Sequence, residues 1–488
     1  MVNAPNDLTA RPVPASSTAT ARRPDWVAPL TVAVGWALAS LLILGVRRPT
    51  AWDEAVYLAK GLGATEPISW GPQRALGMPL LTSLVTWWDL SVAAARLVLV
   101  ATNAAVAFMA MWTWRRLVGP GGVIGPAVVL FSWLGLMSAS EIYPNLPTAV
   151  LALWTVGATW TWTLSRRHLD AAAALVATIG LGLIRPTALA WLFFGYLVAV
   201  AMSPVVRRHR DRLLGGAAAA SAVGVTPWMV ESFLEFGGPV SRLQSGRDTI
   251  VGYEIGHRVT AFLATLSNQK IGTAVATTDT VILIGMLAVA VAAGAYGLWS
   301  VGASTRAALM VVTMAGAAKL VSYLLFPSTA AARFMLPALL MLSVPVGVGI
   351  AAAWAQRWGQ AAVAVLTVGF VVWQVPIARE VGQHQTAQRQ QLQHLGVALY
   401  QDVTDADGYR WPCRFESRHG HPPITLKSGC QGGSTNDIAD SFGRLAQMPA
   451  TVSTYVIWNK PVEPPEGWQF MDVPTPDNWW IYERSPGG

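Results

Sequence analysis

The sequence predicts a polytopic α-helical membrane protein of about eleven spans, with a small C-terminal α/β domain outside the membrane. Three observations lead there. Of 488 residues, 53% are hydrophobic and only 12% charged, about half the charged fraction of an ordinary soluble domain. Mean hydropathy is +0.42. Apolar stretches of roughly twenty residues, each long enough to cross a bilayer as a helix, recur to about residue 378 and then stop.

Taken in order, residues 1–25 are rich in Pro, Ala, Ser and Thr with scattered arginines. They read as a disordered cytoplasmic tail rather than a cleaved signal. The spans follow at 26–46, 91–113, 121–139, 145–164, 170–184, 187–204, 213–234, 278–299, 306–326, 333–355 and 360–378. Charge fixes their orientation. Arg22 and Arg23, Arg115-Arg116, Arg166-Arg167, the cluster Arg207, Arg208, Arg210 and Arg212, Arg306 and Arg357 all fall on one side. By the positive-inside rule that side is the cytoplasm, and an odd number of crossings leaves the C-terminus outside. The net charge of +8 is thus explained by topology, and no nucleic-acid partner is expected.

Three outer segments exceed what a connector needs. Residues 47–90 hold Asp53-Glu54, the stretch Trp70-Gly71-Pro72-Gln73-Arg74 and Trp87-Trp88. Residues 235–277 carry Arg242, Arg247, Asp248, Tyr253, Glu254, His257, Arg258 and Lys270. The third segment, 379–488, reads as an α/β domain. Its expected strands are Arg410–Glu416, Pro423–Lys427, Thr451–Asn459, Gln469–Val473 and Trp479–Glu483, with a helix over Asp437–Met448. His384–Gln393 is polar and Gln-rich, a helix leading off the membrane. Cys413 and Cys430 can pair there, closing a loop worth roughly 3 kcal/mol in the chain-entropy model. No Cys/His cluster has metal spacing. The absence of an internal repeat counts against many secondary-transporter architectures.

The acidic pair Asp53-Glu54 follows the first span directly. One reading is structural: Thr50 or Asp53 caps an interfacial helix through Ala55–Leu62. On such a helix Asp53, Tyr57 and Lys60 share a face, while Glu54 points about 100° away. One carboxylate then faces a cavity and the other orients it or binds a cation.

A first hydrophobic helix followed by an outer Asp-Glu loop resembles the GT-C glycosyltransferases, particularly the protein O-mannosyltransferases and the aminoarabinose–lipid A transferases. Ser140-Glu141-Ile142-Tyr143-Pro144 resembles that family's second acidic position, with Glu141 where Asp is usual. Ile184-Arg185-Pro186-Thr187 is similar to an Arg-Pro turn after the fifth helix, and Arg333-Phe334-Met335-Leu336-Pro337 to an Arg-Tyr-x-x-Pro segment. The resemblance spans 26–378. It implies a membrane enzyme of the glycosyltransferase class (EC 2.4), with a catalytic outer loop at 47–90, that moves a sugar from a polyprenyl-phosphate donor to a glycan, lipid or protein acceptor outside the cell membrane.

The chemistry agrees with that expectation. Displacing polyprenyl phosphate with inversion needs a base at the incoming hydroxyl, and Asp53 is the candidate, with Glu54 and Glu141 supporting it. The departing phosphate gains charge, which preorganised cations stabilise. Candidates are Arg333, Arg258 and Arg74, then His257 and Arg247. The alternative for each arginine is a snorkelling or headgroup-bound side chain. Lys319 lies roughly 10 Å inside the ninth span, where an ammonium must pair, snorkel or line a wet cavity. Arg185 invites the same argument. Trp52, Trp70 and Trp87 either stack on sugar rings or anchor at the interface. No cofactor is expected. Adjacent carboxylates can hold a divalent cation, but a third ligand is missing. The competing readings are a transporter or flippase for a lipid-linked envelope molecule, and a non-catalytic scaffold. The Ala- and Arg-rich composition suits the cell membrane of a high-GC bacterium.

Overall fold

A computed structural model describes residues 24–62, 70–86, 91–249, 277–325, 332–402, 404, 413–417, 421–428, 430–434, 438–448, 452–458, 461–471 and 480–484. The chain is mostly helical. Each of the eleven apolar segments expected from the sequence falls on helix, from Val27–Leu44 to Arg357–Asp402. Among the described residues, six helices are long and apolar enough to cross a membrane: Val27–Leu44, Val92–Val118, Arg210–Phe236, Ala303–Leu324, Ala332–Trp354 and Gly359–Asp402. Gly121–Leu130, His168–Ile184, Pro186–Met202 and Ile284–Trp299 are shorter apolar helices.

One expected span is broken. Residues 121–139 form Gly121–Leu130 and Trp133–Ser138. At the break, the Ser132 hydroxyl caps the second helix by accepting the Gly135 amide at 3.3 Å. The Trp133 amide, also left without an intrahelical partner, donates to Gln374 Oε1 at 2.9 Å. A buried helix end is tolerable only with such acceptors.

The centre of the bundle is Asn145–Ser165, buried on nearly every side. Beside it Gly121–Leu130 packs on Leu336–Trp354. The approach is so close that a Cβ at Gly125 would sit 1.8 Å from the Ser343 carbonyl oxygen. Small residues let membrane helices meet backbone to backbone, which is where dispersion and Cα–H contacts act when no hydrophobic drive distinguishes lipid from protein.

Two short helices, Trp52–Gly61 and Gly77–Thr86, lie between the first two long spans and pack on each other. Pro239–Thr249 follows Arg210–Phe236 across the paired glycines Gly237 and Gly238, both at positive φ (72° and 120°). That conformation suits residues without a Cβ.

Helix Arg357–Asp402 runs unbroken through residue 379, so the change of composition there is not a break in the backbone. It leads into a sheet of five strands: β1 (Cys413–Ser417), β2 (Gln431–Ser434), β3 (Ser453–Trp458), β4 (Trp468–Phe470) and β5 (Trp480–Arg484). The strand order is β2-β1-β3-β5-β4. β1 is parallel to β2 and β3, with Phe415 opposite Gly432 and Tyr455; β5 runs antiparallel to β3 and β4. Leu395 and Leu399 of the long helix fill one face with Phe415, Tyr455, Ile457 and Ile481. Phe442 and Leu445, from helix Ile438–Ala446, fill the other with Val456, Trp458 and Tyr482. Cys413 and Cys430 are disulfide-bonded.

The domain departs from expectation twice. Pro423–Lys427, expected as a strand, belongs to helix His421–Ser428. Pro422 and Pro423 sit in its first turn, where their missing N–H groups cost nothing and their fixed φ suits the helix. Gln431–Ser434 was not expected as a strand because Gly432-Gly433 weakens strand propensity; it survives as the edge strand β2.

Candidate active site

Helix Trp52–Gly61 presents the acidic pair, and its two carboxylates go to different places. Neither Thr50 nor Asp53 caps it. The N-cap is Ala51, with no side-chain cap, and the Ala51 amide is satisfied by Glu54 Oε2 at 2.8 Å. Glu54 is wholly buried. Its Oε2 also accepts from Arg96 Nη2 at 2.8 Å. Its Oε1 accepts from the Ile142 amide at 3.0 Å and from Arg96 Nε at 3.3 Å. Burial alone would raise the Glu54 carboxyl. The guanidiniums of Arg96 and Arg389 and the bonds from Arg96 and the Ala51 amide outweigh it, holding Glu54 below the usual carboxylate range.

Arg96, from helix Val92–Val118, is itself fully buried. Besides Glu54 it donates to the carbonyls of Val46 (2.8 Å), Pro49 (3.1 Å) and Arg48. It therefore ties the chain leaving the first span to the start of the acidic helix. Glu141 accepts from Arg389 Nη2 at 2.6 Å. Arg389 Nη1 lies 3.8 Å from Glu54 Oε2, an ion pair without a hydrogen bond. Arg48 Nη2 donates to Ser140 Oγ at 2.7 Å. These contacts join the acidic helix, the 138–145 connection and the long C-terminal helix in one buried charge network.

Asp53 stands outside that network and is about one-third exposed, at 32%. Its Oδ1 accepts from Arg74 Nη2 at 3.1 Å, and its Oδ2 lies 3.5 Å from Arg333 Nη2. Arg333 stacks over Tyr143 (4.7 Å to the ring centroid) and Phe334 (5.4 Å). Arg185 lies against the other side of this cluster, 5.4 Å from the Phe334 centroid, and donates to Asn145 Oδ1 at 3.1 Å. The Tyr57 phenol is buried among Asp53, Arg74, Arg185 and Arg333; burial first, then the charge of Asp53, pushes it up to about 12. It is a neutral hydroxyl at working pH. Lys319, in Ala303–Leu325, is close enough to Arg185 to feel its charge.

Asp53 thus pairs with Arg74 and Arg333 and feels the charge of Arg185, with Lys319 beyond Arg185. Such a cluster has an excess of positive charge and one partly exposed carboxylate, which suits an anionic ligand whose reacting group approaches Asp53. Glu54, with each oxygen already engaged, offers Asp53 no second oxygen for a shared cation.

Other sequence candidates fall elsewhere. Arg258 and His257 lie outside the described residues, as does Trp87; for Arg247 only the backbone is described. Lys60 turns away from Asp53 to Glu235, at 3.2 Å. Trp70 donates its indole N–H to Glu231 Oε1 at 2.9 Å and packs edge-on against Tyr57, so it is a packing residue. Trp52 is 40% exposed and sits over the Arg74 guanidinium at 5.1 Å, beside Asp53.

A second buried pair supports Arg74. Arg242 donates to Glu231 Oε2 at 2.8 Å, to the Pro72 carbonyl at 2.9 Å and to the Arg74 carbonyl at 2.7 Å. The strand of chain that carries Arg74 is therefore hung on Pro239–Thr249. Sequence reasoning missed Arg96, Arg389, Arg242 and Glu231 as parts of the site.

No protein-family model matches the sequence, nor does any curated protein. Solved structures do match in fold. ArnT from Cupriavidus metallidurans bound to undecaprenyl phosphate is similar at 12% identity and a TM-score of 0.60, over 93% of this chain and 97% of that one. The same protein in its apo state gives 13% identity and a TM-score of 0.57, with the same coverage. The Archaeoglobus fulgidus oligosaccharyltransferase in complex with Zn and sulfate gives 14% identity and a TM-score of 0.50, over 88% of this chain and 68% of that one. The chain shares the fold of these solved structures over most of its length, as the resemblance drawn from its motifs implied.

Proposed function

We propose that this protein is an inverting glycosyltransferase that moves a sugar from a polyprenyl-phosphate donor to an envelope acceptor at the outer face of a bacterial cell membrane. The observation that carries the reading is Asp53, partly exposed and held between Arg74 and Arg333. The shared fold with an ArnT structure that binds undecaprenyl phosphate supports the donor class.

In this mechanism the acceptor oxygen attacks the anomeric carbon while Asp53 takes its proton. The new C–O bond forms as the bond between the anomeric carbon and the phosphate oxygen breaks. That bond's electron pair leaves with the phosphate, which passes from a singly charged diester to a more highly charged monoester. Arg333 and Arg74 meet the growing charge, with Arg185 and Lys319 behind them. The Tyr57 hydroxyl, kept protonated, supplies a neutral donor. Glu54 and Glu141 take no proton; they fix the helix and the connection on either side. The reading needs no metal, because guanidiniums already face both Asp53 oxygens. The cytoplasmic N-terminus and the external C-terminal domain follow from the arginine distribution.

The test is a purified, lipid-reconstituted protein given a polyprenyl-phosphate sugar. Release of polyprenyl phosphate that requires an acceptor supports transfer. Movement of intact donor across the bilayer without release supports the flippase alternative and removes the enzyme reading.

A further inference from the structure

Helix Arg357–Asp402 belongs to two cores at once. Ala378 and Val381 are buried in the membrane bundle, and Leu395 and Leu399 in the core of the C-terminal sheet. Arg389 lies between these pairs and is over nine-tenths buried. It is the point where the C-terminal part of the chain touches both acidic positions of the site. We propose that Arg389 is a positioning residue for Asp53, and that through it the C-terminal domain sets the geometry of the transfer site.

Two routes lead from Arg389 to Asp53. The first runs through Glu54, 3.8 Å away, whose carboxylate holds the Ala51 amide at the start of the acidic helix. Asp53 is the second residue of that helix. The second route runs through Glu141, bonded at 2.6 Å, to Tyr143 two residues on. The Tyr143 ring supports Arg333 at 4.7 Å, and Arg333 pairs with Asp53. Gln385, one turn earlier on the same helix, accepts from Arg389 Nη2 at 3.0 Å and fixes its rotamer.

Charge balance explains the pairing of Arg389 with Glu141, but not its approach to Glu54. Arg96 already neutralises Glu54 with two hydrogen bonds. A second cation for the same carboxylate, brought from the far end of the chain, adds a geometric link. Helix His421–Ser428 adds another, since it packs on both the long helix and Trp52–Gly61. A carboxylate base displaced by a fraction of an ångström loses turnover before it loses ligand affinity.

The inference rests on the glycosyltransferase reading for its kinetic arm only. The full-length protein is compared with Arg389→Gln, Arg389→Lys and the double variant Glu141→Gln/Arg389→Gln, which removes both buried charges together. Four readouts are taken: turnover, polyprenyl-phosphate binding, thermal stability, and amide hydrogen exchange across residues 50–61. Arg389→Gln is expected to lower turnover about 10- to 100-fold with binding unchanged, and to speed exchange at 50–61 relative to Val92–Val118. Arg389→Lys recovers part of both. The double variant regains thermal stability but not turnover. A double variant that regains turnover along with stability would show a merely structural role and overturn the proposal. So would an Arg389→Gln variant whose exchange at 50–61 equals wild type. The exchange arm needs no substrate, so a wild-type protein that transfers no sugar sinks the function while leaving this link measurable.

Discussion

Replacing Asp53 by Asn separates the proposed base from the arginines around it. The amide is nearly isosteric, and its oxygen still accepts from Arg74, whose donor atom lies 3.1 Å from Asp53 Oδ1. What vanishes is proton affinity and one negative charge. Loss of a positioned general base costs about 10²- to 10⁴-fold in turnover. The change in donor binding has the opposite sign. In the proposed mechanism Asp53 competes with phosphate for Arg333 and Arg74, which lie 3.5 and 3.1 Å from it. A phosphate about 7 Å from the carboxylate is repelled by about 2 kcal/mol at an effective dielectric near 20. Solvent at this partly exposed group reduces that to about 1 kcal/mol, or about fivefold in affinity. The assay pairs turnover on a polyprenyl-phosphate sugar with equilibrium binding of polyprenyl phosphate. Expected are collapsed turnover and binding as tight as wild type or tighter. Near-normal turnover would remove Asp53 as base, and binding that falls along with turnover would show a disrupted site instead.

Arg333→Ala should weaken polyprenyl-phosphate binding more than acceptor binding, read as separate dissociation constants; equal losses would assign Arg333 to structure. Arg242→Met should free the chain at 70–74 and lower turnover about tenfold or more, with protease cleavage near Arg74 as an independent readout. Glu54 gives a pH prediction. Its folded-state carboxyl is held below the ordinary value, so its stabilisation is complete above the unfolded pKa of about 4.3. That stabilisation is lost as pH falls through the lower folded value. A thermal-stability profile of Glu54→Gln should be lower than wild type near neutrality and approach it in acid; a constant gap at every pH would contradict the linkage.

Hydropathy made the helices legible, because lipid forces each span to be apolar and internally bonded. It could not find the break at Phe131–Ser132, after which the Trp133 amide depends on Gln374, 241 residues away. Asp53, Arg74, Arg185 and Arg333 were readable as charges at one membrane face, although nothing local said that they converge. Arg96 left a usable signal: it is an arginine inside a span, the same argument that singled out Lys319. Arg389 left none. It sits in a polar, Gln-rich stretch where a solvated charge is the ordinary outcome, and only tertiary contact with Glu141 gives it meaning. Pro423–Lys427 misled because its Ile-Thr-Leu run suits a strand, while the prolines before it start a helix.

The 248-residue separation between Arg389 and Glu141 has a consequence for biogenesis. The ribosome delivers the acidic helix first and its buried partner Arg389 more than three hundred residues later. Until then Glu141 waits without its guanidinium, and a chain cut short before that point inserts its early spans without the Arg389 contacts to Glu141 and Glu54. Premature truncation would then leave the two acidic positions without the guanidinium they share.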